Sequence, residues 1–274
     1  MASDFLARPP CTTRLITRAT PLGFRVINAG MDRFRSLTIA ALTAGTAAGL
    51  ILFVVQHLTI VPLIDVAEEL EQAFLHAPGH MDHAHRLEDE GWQPAPGLQR
   101  IGLTAITTVL SSISFAAILL AAMAMSDRGL NLRRGALWGL AGFTCFVLAP
   151  ALSLPPQPPG AALGDLYARQ MWWIGTVAAT AGGIWLIFGT ARTSPARTWS
   201  LWAAGVALLI LPQLLAVPAS LEADPIPAAL KREFAALSVA TNLLFWIVLG
   251  ALCGFAHGRE TGHHELEPTG HQVR

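Results

Sequence analysis

Charge is what this chain has least of. Only 13% of its 274 residues are Asp, Glu, Lys or Arg, about half the share of an ordinary soluble domain. With 53% hydrophobic residues and a mean hydropathy of +0.49, that scarcity excludes a soluble globular fold and places the chain in a lipid bilayer. The 18 basic and 18 acidic residues cancel, so no overall field points to nucleic acid or to an acidic substrate. Cysteine is nearly missing: Cys11, Cys145 and Cys253 lie far apart with no CxxC. That rules out a disulfide framework or a thiolate metal site as an organising principle. No GxxxxGK[ST] occurs, so ATP hydrolysis would have to come from another chain. Tyrosine is down to one residue against eight tryptophans, which leaves tryptophan to mark the membrane borders, as Trp172-Trp173, Trp199 and Trp202 do.

Six apolar stretches approach the ~20 helical residues that a hydrocarbon core requires. They run at about 36–56, 101–125, 135–154, 170–190, 199–217 and 235–256. The expected fold is therefore all-α, a polytopic bundle of six transmembrane helices. The third stretch ends in Leu154-Pro155-Pro156 and the fifth contains Pro212 and Pro218. Either can be short or kinked, and five spans is the alternative count. Residues 31–257 make up the membrane domain, and 258–274 are expected to be a disordered tail. Residues 1–30 carry four arginines and no sustained apolar run, unlike a cleavable signal peptide. They read as a disordered basic leader or as a start assigned upstream of Met31.

Lys and Arg are unevenly divided between the two sets of loops. With six spans, thirteen fall on the side of the N-terminus and five on the other. The positive-inside bias predicts a cytoplasmic N-terminus and puts residues 57–100, between the first two spans, outside.

That external segment holds the most concentrated chemistry. Eight acids against Arg86 and Arg100 make it six charges negative with neutral histidines, a field that concentrates cations. Pro62 suits a first helical turn, and residues 63–75 contain no breaker, so its first part reads as a helix. At 100° per residue, Asp65, Glu68, Glu69, Gln72 and His76 share one face, with Val66, Leu70, Ala73 and Phe74 on the other. Alone, this is an amphipathic helix at the interface. Pro78-Gly79 then turns the chain into His80-Met81-Asp82-His83-Ala84-His85. Three imidazoles with carboxylates nearby suit borderline divalent ions such as Co²⁺, Ni²⁺ and Zn²⁺. Lacking thiolate, the site is expected to exchange its ion. Metal capture is the favoured reading, with a pH-responsive cluster and plain solvated loop as alternatives. Ligating imidazoles must be neutral, so capture is expected to weaken below about pH 6.5. His57, beside Gln56 at the outer end of the first span, is the candidate second station.

No Asp, Glu, Lys or Arg sits centrally in a span, which argues against a self-sufficient proton-coupled pump. The polar groups there are neutral: Thr104, Thr107, Thr108, Ser111, Ser112 and Ser114 in the second span, then Gln213 and Asn242. They can line a narrow path or join helices, and joining helices is the expectation. Gly45-x-x-x-Gly49 and Gly135-x-x-x-Gly139, followed by Gly142, point to close packing within the bundle. A membrane metalloenzyme would want two histidines a turn apart on one helix. The His76/His80 pair is interrupted by Pro78-Gly79, so an enzyme is not expected.

Several stretches, in order, resemble one family. They are "FRSLTIAALTAGTAAGLI", "QHLTIVPLIDVAEELE", a histidine/acid loop ending in "GWQPAPGLQR", "RRGALWGLAGFTCFVLAPALSLPPQPPGA" and "LYARQMWW". Together they are similar to CbtA, the predicted cobalt transporter subunit of bacteria, from about Met31 to Thr190. The resemblance implies a polytopic inner-membrane protein tied to cobalt uptake and cobalamin biosynthesis. It also implies a partner, a small one-span CbtB-like subunit with its own histidine motif. By position it covers Gln56, Pro62, Glu68 and Glu71, the loop histidines, Trp92, Gly97 and Arg100. Further on it covers Trp138, Pro150, Pro155, Pro156, Pro159, Arg169, Gln170 and Trp173. The chain departs at "SLPPQPPG", where the family pattern expects "GLPPELPG": Ser153 and Gln157 stand in place of a glycine and a glutamate. Its histidine run is also shorter.

The reading that follows is a subunit of a divalent-metal uptake transporter, with Co²⁺ the expected cargo and Ni²⁺ or Zn²⁺ the alternatives. His80, His83 and His85 capture the ion, which passes His76, Glu68, Glu71 and His57. Gln56, Trp92, Arg100, Pro155, Pro156, Arg169, Gln170 and Trp173 shape the path and the outer loops. Expected partners are the lipid bilayer and the one-span subunit, with a homo-oligomer left open. The alternative function is a membrane metal-binding or assembly protein that sequesters ions without transporting them.

Overall fold

The computed structural model describes residues 22–76, 94–126, 130–189, 194–215 and 224–264. The chain divides into two units, Met1–Ser36 and Leu37–Arg274. In the first, the described residues 22–36 are helical. The site described below lies in the second.

The described regular structure is helical. The order is α1 (Leu22–Thr59), α2 (Val61–Leu75), α3 (Leu98–Ala124), α4 (Leu132–Phe143), a π-helical turn (Thr144–Leu148), α5 (Ala149–Ser153), α6 (Leu166–Gly189), α7 (Pro195–Leu214) and α8 (Ala228–His264). Five segments are long and apolar enough to cross a bilayer: Gly30–Thr59, Leu98–Ala124, Leu132–Ser153, Leu166–Gly189 and Ala228–Gly258. The third joins α4, the π-turn and α5 into one span. The remaining expected span corresponds to α7, whose 20 residues reach about 30 Å with Pro212 inside the last turn. It packs along α6. The result is an all-α membrane bundle of five to six spans. Exposed Ile106, Leu110, Ile118, Leu137 and Trp185 give it the apolar outer surface that lipid requires.

Local chemistry sets the helix ends. α1 stops because Pro62, in the first turn of α2, has no N–H to extend the ladder. The Ile60 N–H still bonds the Gln56 carbonyl at 2.8 Å, and Leu63 and Ile64 both bond the Ile60 carbonyl at 3.0 Å. α3 opens at Gly97, whose φ of +91° is a region that only glycine enters freely. Asn131 caps α4, its Oδ1 accepting from the Arg134 N–H at 2.9 Å, and Asp165 does the same for Ala168 of α6 at 2.7 Å.

Small residues bring the backbones together. α4 lies along α8 so closely that a Cβ on Gly254 would sit 2.6 Å from the Gly135 Cα, and one on Gly250 2.6 Å from the Gly139 Cα. Gly45 and Gly49 seat α1 against Ile113 and Val109 of α3, while Gly183 and Gly205 join α6 to α7. The glycine spacings thus serve packing inside one bundle, as expected. Where α1, α3 and α8 meet, Ala44, Ala48, Ala116, Leu120, Met123, Leu249 and Cys253 form a dry core.

Candidate functional site

Three connections on the side of residues 57–100 are tied to one another by side chains. α2 turns one face to the protein: Ala67 is fully buried, and Ile60, Leu63, Ile64, Leu70, Glu71 and Phe74 fall within about 60° of it. Asp65, Glu69, Gln72 and His76 are exposed, as expected of the acidic face. Glu71 is not among them. It is half-buried, and a Cβ on Gly160 of the proline-rich loop would come 2.8 Å from the Glu71 Cβ. Gly160 also has φ +74°, so both the turn and the close approach require glycine there. Glu68, on the flank, takes Arg100 in a two-pronged ion pair. Nη1 donates to Oε2 at 3.0 Å and Nη2 to Oε1, clamping α2 to the first turn of α3.

The third tie is Asp224, ahead of α8. It accepts from Lys231 Nζ at 2.6 Å, from the Ile226 N–H at 3.0 Å and from the Ala162 backbone. Burial pushes its carboxyl up, but the Lys231 ammonium and the two backbone N–H groups outweigh that and hold it below its ordinary value. A depressed carboxylate contributes stability that is complete above its unfolded pKa of about 4 and is lost as pH falls through the lower folded value. Asp224→Asn is expected to cost about 1 kcal/mol at neutral pH. Melting curves in detergent should show variant and wild type converging below about pH 4.

Further into the spans, Gln56 and Leu52 of α1, Thr107, Thr108, Ser111 and Ser112 of α3, and Asn242 of α8 line a cleft of about 210 Å³, completed by Phe115 and Phe245. The α3 hydroxyls do not bridge helices as expected. The bonds of Thr104, Thr107, Ser112 and Ser114 return to carbonyls one turn back on α3 itself, at 2.7–3.0 Å. Asn242 likewise donates Nδ2 to the Ser238 carbonyl at 2.8 Å.

An aromatic cluster closes the cleft off from the core. The Phe115 ring meets Trp246 at 5.1 Å and Phe146 at 5.3 Å, and Phe146 stacks on Trp246 at 5.4 Å. Trp173 of α6 approaches Phe146 at 6.2 Å. Phe146 itself rides on the π-turn. Past this cluster come the dry side chains of Leu120, Met123 and Leu249, all within 1% of full burial. Gln213 of α7 ties the end of the same span: its Nε2 donates to the Ala149 carbonyl at 2.9 Å, and Ser153 Oγ donates to its Oε1 at 2.5 Å. Ser153 is the residue that stands where the family pattern expects glycine, and Gln213 joins two helices here as expected of it.

His80, His83, His85 and Trp92 lie outside the described residues. His76 ends α2 and is exposed. His57 is exposed and stacks on Phe53 at 5.8 Å, while its neighbour Gln56 lines the cleft. Pro155 is exposed and Pro156 half-buried, in a loop anchored by fully buried Pro158. Arg169 is half-buried and Gln170 exposed in the first turn of α6. Among the described residues, no three His, Cys, Asp or Glu side chains converge to hold a metal ion. Glu68 is engaged by Arg100, Glu71 is turned toward Gly160, and His57 and His76 face outward. The residues that do converge are Gln56, Asn242 and the α3 hydroxyls.

No curated protein and no solved structure matches this chain. A family-level comparison does: residues 34–258 match the family described as probable cobalt transporter subunit (CbtA). That description is of a transporter subunit rather than an enzyme. The resemblance read from the sequence stopped near Thr190, whereas the match continues through α7 and most of α8. Covering most of the 274 residues, it means that the chain belongs to the CbtA family.

Proposed function

We propose that this chain is the subunit through which a divalent cation, Co²⁺ foremost, crosses the bacterial inner membrane toward the cell interior. In this reading the N-terminus is cytoplasmic and residues 57–100 are outside. Exposed Asp65, Glu69 and His76 help concentrate cations, and His80, His83 and His85 capture one. The ion then passes His57 and the Glu68–Arg100 clamp and enters the cleft beside Gln56. The observation that carries the proposal is that cleft: six neutral polar side chains from three spans face one open space in an otherwise apolar bundle. The aromatic cluster closes its far end, so passage requires those rings to move. A one-span CbtB-like subunit, supplying cobalt for cobalamin synthesis together with this chain, is the proposed partner.

Vesicles reconstituted with and without that subunit test the reading through Co²⁺ entry. At cobalt concentrations far below saturation, the His80/His83/His85→Ala variant should admit the ion at least tenfold more slowly. The difference should vanish at saturating cobalt. Binding without entry under every condition would establish the sequestering alternative. Undiminished entry by the variant at low cobalt would remove the capture loop from the mechanism.

A further inference from the structure

Two of the hydroxyls in the cleft are left with lone pairs only. Thr107 spends its hydroxyl proton on the Leu103 carbonyl at 2.9 Å, and Ser112 spends its own on the Thr108 carbonyl at 2.7 Å. Asn242 commits one of its two Nδ2 protons to the Ser238 carbonyl at 2.8 Å, and its Oδ1, like the Oε1 of Gln56, is a carbonyl acceptor. A hydroxyl that has donated its proton presents only lone pairs. A ligand with N–H or O–H donors on its outer surface matches these acceptors. Among the described residues, the lining includes no carboxylate, imidazole or thiolate, the groups that displace water from a divalent ion. Size agrees: about 210 Å³, at about 30 Å³ per water, holds roughly seven waters. That is the room an ion needs when it keeps an octahedral shell of waters around it.

We infer that the cleft binds a divalent cation with its hydration shell intact, holding the shell's waters through Thr107, Ser112, Asn242 and Gln56. Inner-sphere ligation is left to groups outside the spans. This rests on the reading of the chain as a cation path and adds the form in which the cargo occupies it. Keeping the shell removes the need for a formal negative charge inside the span, because the waters spread the ion's charge over many hydrogen bonds. Selection by metal chemistry then belongs to the histidine segment, and selection by size and donor pattern belongs to the cleft.

Hexaamminecobalt(III) separates the two modes. Its ammine ligands do not exchange, and its surface is all N–H donors, so it can occupy an outer-sphere site and cannot be ligated by imidazole. Equilibrium dialysis against purified full-length protein in nanodiscs, at moderate salt to suppress loose pairing with surface acids, should show one bound equivalent. That equivalent should persist in the His80/His83/His85→Ala variant and weaken at least tenfold in Thr107→Val/Asn242→Leu. The single Thr107→Val change, at an exposed and nearly isosteric position, should weaken it about threefold and guards against misfolding of the double variant. Excess Mg²⁺, strongly hydrated, should compete, and methylammonium should not. Equal binding by wild type and both cleft variants, or displacement by methylammonium instead of Mg²⁺, would overturn the inference. Vesicle entry is a separate readout: cleft binding without Co²⁺ entry would sink the transport reading and leave the site standing.

Discussion

Gly139→Leu should yield little or no monodisperse protein in detergent, and any that survives should melt far below the wild type. A Cβ at Gly139 would run into the Trp246 carbonyl on α8, and that oxygen belongs to helical backbone that cannot rotate aside. Relief means separating α4 from α8 along the whole line where Gly135, Gly250 and Gly254 also touch. Overpacking a dense interior costs about 1–3 kcal/mol when side chains can yield. Here the obstacle is backbone and the new side chain is large, so the expected loss is about 4 kcal/mol or more. Against a total of about 5–15 kcal/mol, that is severe. The control is decisive because it has the opposite sign. Gly102 and Gly175 have nothing within 4 Å of an added Cβ, so alanine at either should leave stability unchanged or raise it by up to about 1 kcal/mol through helix propensity.

Trp246→Ala should be almost as damaging, and it carries a second signature. Trp246 is 2% exposed and meets the rings of Phe115, Phe146 and Phe245 at 5.1–5.7 Å. Truncating so large a buried aromatic typically costs about 3–5 kcal/mol. It also removes the barrier between the polar cleft and the core. Cys145, on the π-turn next to Phe146, is buried. In a Cys11→Ser/Cys253→Ala background it should be inert to a small water-soluble thiol reagent when Trp246 is present and react readily in Trp246→Ala. Trp246→Phe, which keeps a ring in the cluster, should retain most of both the stability and the protection. Trp185→Ala, at a position 57% exposed, should change neither. Labelling of Cys145 already complete in the wild type would show that the cluster does not separate cleft from core.

Hydropathy made the spans readable because each is a local property of 20–30 consecutive residues. Pro62 and the unbroken run after it likewise announced α2. Periodicity put the apolar side of α2 at Val66, Leu70, Ala73 and Phe74, and the structure turns it: Ala67 is buried, whereas Val66 and Ala73 are exposed. With Leu63, Ile64 and Ala67 also apolar, the apolar character covers more than half the helix, which left room for that turn. The choice fell on the Ala67 side, where a small residue allows close approach, and it carried Glu71 inward with it. The Glu68–Arg100 pair joins residues 32 positions apart; periodicity set Glu68 on the acidic face, but nothing local in the sequence pairs it with Arg100. The cleft was the hardest feature to read. Its polar residues come from three spans between positions 56 and 242, and in a sequence such hydroxyls look the same whether they bridge helices or bond their own backbone. Only the packing that sets Gly49 on Val109 and Ser112 determines that they face a common space.

The π-turn at Thr144–Leu148 acts as a phase shifter. One residue beyond the α-helical count rotates everything after it by about 100°. Gly135, Gly139, Gly142, Phe146, Ala149 and Ser153 follow a three-four spacing that, in an uninterrupted helix, would form a single stripe. Instead the first half of that stripe is spent on α8, and the last two positions swing round to Gln213 of α7. One span thereby serves two neighbours that a straight helix with the same spelling would have to address from a single side. The register of the chain, as much as its composition, decides how many helices this bundle can hold together.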